Sequence, residues 1–130
     1  MMRGTKEDYI EYRILKSKEI FEDAKLLANN QRWNSCMNIL YYSSYYLVSA
    51  LLFQNDFKSE THNGTKTQFN FHYIKTGLID VSFGKLYSNL FEWRQESDYA
   101  DFIDFDAETV PPLIKEVEEF NHLIEEIIRK

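Results

Sequence analysis

Turn-forming residues are scarce: the 130 residues include 4 Gly and 2 Pro. A sandwich or barrel of many short strands needs frequent turns, so that class is excluded and a few long helices are expected. A single cysteine, Cys36, excludes a disulfide framework within the chain and fits the reducing cytoplasm. It stands in an apolar run with no motif around it, the setting of a buried free thiol rather than a nucleophile. Basic excess is missing too. A net charge of −6 excludes a global field for duplex DNA, while a local basic pocket, particularly at a dimer seam, is compatible with it. The opening MMRGTKEDYIEYR lacks the apolar core of a signal peptide. There is no HExxH pattern or cysteine–histidine cluster for zinc, and DYADFIDFDAE lacks the central Gly of a calcium loop. Neither a metal nor a cofactor is expected.

What is present is apolar and aromatic. Hydrophobic residues make up 44% of the chain and aromatics 16%, enough to build the core of one domain over residues 1–130. Apolar spacing predicts a first helix over about 5–29, with Ile10, Ile14, Phe21, Ala24 and Ala28 as its stripe, interrupted at Ser17, and a stop at Asn29–Asn30. A second, over about 32–54, is apolar on nearly all sides and reads as the central helix. Its core, CMNILYYSSYYLVSALLF, carries too many polar side chains over 18 residues for a membrane span. A short helix over about 63–74 follows, closed by Gly77. The next runs from Ser82, a candidate N-cap, to about Tyr99, with Phe83, Leu86, Leu90 and Trp93 as its buried stripe. Pro111 and Pro112 suit the first turn of a last helix, with Thr109 as N-cap. Its stripe is Leu113, Val117, Phe120, Ile124 and Ile127 or Ile128, and its glutamates face water. The expectation is an all-α antiparallel up-down bundle of four to five helices.

The segment WRQESDYADF at 93–102 ends an apolar pattern in charge. Arg94 lies at the edge of its stripe, and Asp98, one turn on, is its nearest partner. Tyr41, Tyr42, Tyr45 and Tyr46 form two pairs on adjacent faces of the second helix, which reads as core and dimer packing rather than base stacking. His62 reads as a loop or cap residue, His72 as partly buried and hydrogen-bonded, and His122 as a surface or edge residue.

Four stretches, in order, resemble those of HEPN-domain proteins of the small stand-alone prokaryotic kind, from about Tyr12 to Ile127. They are RWNSCMNILYYSSYY, ETHNG, FHYIKTGLI and RQESDYADF. The resemblance implies an antiparallel bundle that forms homodimers. It also implies pairing with a minimal nucleotidyltransferase in a toxin–antitoxin-like system. Catalytic members are metal-independent ribonucleases that use an Arg followed four to six residues later by a His. Arg94 matches that Arg, but Tyr99, Ala100 and Asp101 fill the window for the His. Ile39 and Tyr46 stand where relatives often carry an Arg and a His.

Metal-free RNA cleavage needs a proton acceptor and a proton donor near neutrality, which His supplies and Tyr, with a pKa of roughly 10, does not. The reading that follows is a module without ribonuclease activity. It would bind a nucleotide, an RNA end or a protein partner in a groove near Arg94, Asp98, Tyr99, Asn38 and Tyr42. Two alternatives stand beside it: a ribonuclease toxin using Arg94, and a purely structural homodimer in which Arg94 and Asp98 only hold a helix end. In some HEPN toxins the nucleotidyltransferase adds AMP to a Tyr near the motif, and Tyr99 is the matching candidate here.

Overall fold

The computed structural model describes residues 4–99 and 104–130, with the Tyr99 side chain outside that description. Five helices account for most of it: α1 (Lys6–Asn29), α2 (Trp33–Gln54), α3 (His62–Phe69), α4 (Val81–Tyr99) and α5 (Val110–Arg129). A π-helical turn, Asn70–Ile74, continues α3, and no strand occurs among the described residues. The all-α bundle expected from the spacing is the fold observed.

α2 is central because it has no polar face to leave in water. It packs on α1, α3, α4 and α5, and Met37, Leu40, Leu47, Val48 and Leu51 are almost wholly buried. Among the described helices it alone is long and apolar enough to cross a membrane, yet 61% of that stretch is buried inside the bundle. Cys36 is fully buried on it, and burial pushes the thiol up to about 11. Side-chain pairs give the helix directions. Ser17 with Ser43 and Arg13 with Ser49 run α1 against α2. Asn38 with Asp98 belongs to an α4 antiparallel to α2. Ser44 with Asn121 and Gln54 with Ile128 set α5 parallel to α2.

Ser17 does not interrupt the α1 stripe as expected. It is 1% exposed and donates to the Ser43 carbonyl at 2.6 Å. Asn121 of α5 donates to the Ser43 hydroxyl at 3.0 Å and accepts from Ser44 at 2.8 Å. This polar node ties three helices through small side chains that let the backbones approach. Each hydroxyl in it is hydrogen-bonded, so burying it carries no desolvation penalty from an unmet group.

Several caps differ from the sequence reading. α1 opens with a capping box in which Thr5 and Asp8 bond each other's backbone N–H, both at 3.1 Å. Asp80, not Ser82, serves the start of α4, accepting the Ser82 N–H at 3.0 Å. Thr109 occupies the N-cap position of α5 but makes no side-chain cap bond, and Asp106 accepts the Glu108 and Thr109 N–H groups instead. A carboxylate accepts there better than a hydroxyl because it is charged. The chain leaves α1 at Asn29–Asn30 as expected, but the left-handed residue is Gln31, at φ 58°. Gly77 does take positive φ, 82°, after the π-helical turn.

The buried face of α4 is rotated from the expected one. Tyr87, Leu90, Phe91 and Arg94 point inward, while Phe83, Leu86 and Trp93 are half-buried. The cause is the aromatic wall opposite: Tyr87 meets Tyr41 at 5.9 Å and Phe120 at 5.9 Å between ring centroids. On α5 the expected stripe holds, with Leu113, Val117, Phe120, Ile124 and Ile128 buried. Glu125 departs from the water-facing set, half-buried between Lys18 and Arg129.

Candidate functional site

Arg94 is the buried cation of this bundle, 6% exposed. Its rotation into the α2–α4 seam lays the guanidinium over the Tyr41 ring at 5.0 Å and the Tyr42 ring at 5.7 Å. Nη1 reaches Asp98 Oδ2 at 3.4 Å, a long contact. Nε is buried with no hydrogen-bond partner among the described residues. Asp98 is more open, its side chain 35% exposed, and its other oxygen accepts from Asn38 Nδ2 at 2.9 Å. The structure therefore brings Arg94, Asp98, Asn38 and Tyr42 together; the four-residue spacing on α4 foretold the Arg94–Asp98 pair, and the family resemblance implied the rest. A cavity of about 390 Å³ opens beside Asn38 and Asp98, with Leu27, Asn34, Ser35, Ile39 and Ser97 as its other walls; Arg94 and Tyr42 lie behind that pair and do not line it. Tyr99 closes α4. Its side chain and residues 100–103 lie outside the described residues, as does the expected tuck of Phe102 and Ile103.

His62 is the main addition to the site. Sequence reading assigned it to a loop or cap, but it is the first residue of α3, half-buried. Thr61 is the cap, accepting the Gly64 N–H at 2.8 Å. That turn sets the His62 ring against Tyr45, with centroids 4.4 Å apart, and its Nδ1 hydrogen-bonds the Tyr41 hydroxyl at 2.8 Å. The signal lay in the ETHNG stretch, where Thr, then His, then Gly fix a helix start. His72 is half-buried as expected, stacked on Phe57 at 3.6 Å and bonded to Gln68 at 2.9 Å. His122 is at the surface, beside Glu126.

Burial lowers the His62 pKa, and the positive charge of Arg94 lowers it further. Burial likewise holds the Tyr41 and Tyr87 hydroxyls above the ordinary tyrosine value. Neutral His62 is thus the form the fold prefers, surrounded by Tyr41, Tyr42, Tyr45 and Arg94. Its contribution to stability is complete above the ordinary value of 6.5 and is lost as pH falls through the lowered folded value. Thermal melts between pH of about 7.5 and 5 should therefore show the gap between the natural protein and His62→Gln closing on acidification. A gap that does not change with pH would contradict this assignment.

The residue pattern over 10–127 matches the HEPN domain. This chain belongs to the HEPN family. A UPF0332 protein of Thermotoga maritima is 38% identical over 123 residues, covering 95% of this HEPN chain and 93% of that protein. A UPF0332 protein of Archaeoglobus fulgidus is 29% identical, over 87% of this chain and 90% of its own. A protein of Methanocaldococcus jannaschii named "Putative toxin MJ0142" is 28% identical, over 81% and 71%. Within this HEPN chain the described imidazole beside the motif arginine comes from α3, not from the helix that carries Arg94.

Proposed function

We propose that this protein is a HEPN module that holds a phosphate-bearing ligand, a nucleotide or an RNA end, at the Arg94 groove without cleaving it. It acts in the cytoplasm as a homodimer alongside a nucleotidyltransferase, in a toxin–antitoxin-like pair. The observation that carries the reading is the state of Arg94. A buried guanidinium is costly unless its charge and N–H groups are met. Among the described residues, one long contact and an Nε without a partner leave it incompletely satisfied. An anionic oxygen arriving from the groove would complete it, and guanidinium pairs well with phosphate. Asn38 adds a donor at the entrance, and a phosphate oxygen would take the place of Asp98 on the guanidinium. The toxin name of the jannaschii relative supports the genetic setting.

Titration calorimetry with a 5′-phosphorylated oligoribonucleotide tests it. Binding should weaken at least roughly tenfold in Arg94→Gln, and the RNA should remain intact after incubation without metal. No binding by the natural protein would refute the reading.

A second reading, metal-independent ribonuclease, is favoured by His62. A neutral imidazole near a buried arginine could accept the proton of a 2′-hydroxyl. It requires RNA cleavage without metal that disappears in both Arg94→Gln and His62→Gln.

A further inference from the structure

A second arginine is built between aromatic rings on the other side of α2. Arg13 of α1 is half-buried, with its guanidinium 4.8 Å from the Tyr9 ring centroid and 5.3 Å from that of Tyr46. Nη1 donates to the Ser49 hydroxyl at 2.6 Å, and Nη2 donates to the Tyr9 hydroxyl at 2.6 Å. Two neutral acceptors hold the fork in place, and no carboxylate among the described residues pairs with it. Its other N–H donors have no partner among the described residues. The group lines a cleft of about 340 Å³ whose other walls include Tyr45, Phe53 and Phe57. Tyr9 and Phe53 meet at 4.8 Å between centroids, and both are 42% exposed. Lys58, Asp56 and Glu60 also line the cleft, and Asp56 is paired at 2.8 Å with Lys6, which lies over the outer edge of Phe53.

These features select a ligand class. A free phosphate would gain from Arg13 and Lys58 but meet Glu60 and leave the aromatic walls unused. An aliphatic chain would leave the fixed guanidinium unmatched. A flat heterocycle with acceptors on its edge uses everything present: rings to stack on, a planar donor fork, and mixed polar groups for its remaining edge. We propose that the Arg13 cleft is a nucleobase-binding subsite distinct from the Arg94 groove. Guanine is its best match, because O6 and N7 present paired acceptors to the arginine N–H groups that Ser49 and Tyr9 leave unused. Tyr45 stands between the two sites, lining this cleft and contacting His62 on the other side.

Guanosine, which has no phosphate, is the probe. Calorimetry should show saturable binding, stronger for guanosine than for adenosine. Arg13→Gln should weaken it roughly tenfold or more. Phe53→Ala, at an exposed wall position, should weaken it as well and guards against misfolding of the first variant. Arg94→Gln should leave it unchanged, which separates this subsite from the phosphate site proposed above. Absence of saturable guanosine binding would overturn the proposal. So would binding that survives both cleft variants, or indole binding as tightly as guanosine, which would mean stacking alone.

Discussion

Replacing Arg94 with Met is expected to abolish ligand binding while leaving the fold as stable as before, or more stable by up to about 2 kcal/mol. Met fills much of the volume of the arginine stem and can pack on Tyr41 and Tyr42. The change removes the desolvation cost of a cation that the chain meets incompletely. It does not strand a buried acid, because Asp98 is open to water and keeps its bond from Asn38. What is lost is the cation–π contact with two rings, worth about 0.5–2 kcal/mol, which offsets part of the gain. Binding and stability should thus part company in one variant. Chemical denaturation beside calorimetry with the phosphorylated oligoribonucleotide reads both. A clear loss of stability in Arg94→Met would make Arg94 a scaffold residue, and the purely structural reading would then stand.

The largest expected loss of stability lies elsewhere. Phe120→Ala should destabilise the protein by about 3–5 kcal/mol. Phe120 is fully buried and touches three other rings: Tyr87 at 5.9 Å, Phe69 at 5.9 Å and Phe83 at 6.1 Å. It therefore links α5 to both α3 and α4. Those rings come from two other helices, so their backbones cannot easily collapse into the void. A loss of that size is a large share of the roughly 5–15 kcal/mol that holds a domain folded, and the melting temperature should drop by about ten degrees or more. A loss under about 1 kcal/mol would mean that α5 docks by its aliphatic stripe alone.

Much of this was legible in the sequence for simple reasons. A helix apolar on all sides has only one place to go, and α2 went there. Arg94 and Asp98 are four apart, and one turn of helix brings them into contact. Helix rotation was less legible. The α4 stripe was read from the most apolar residues, but tyrosines decided it, because Tyr87 and Tyr41 bury more ring than Phe83 could against the same wall. Ser17 looked like a flaw in an apolar stripe because its partner, the Ser43 carbonyl, is 26 residues away. His62 and Arg13 were missed for the same reason. Local pattern gives only part of each: the ETHNG turn starts α3 at His62, and Tyr9 lies one turn from Arg13, but Tyr41, Tyr45, Tyr46 and Ser49 come from α2.

Cys36 has a practical consequence. Alkylating reagents react with thiolate, not thiol. A fully buried thiol with its pKa near 11 presents almost none at neutral pH. Modification must then wait for the packing around α2 to open. Since this is the one cysteine in the sequence, each molecule can take a single adduct, visible as one step in intact mass. The natural chain is therefore its own clock for opening, with no label or engineered residue needed. Any ligand that steadies the bundle should slow that clock.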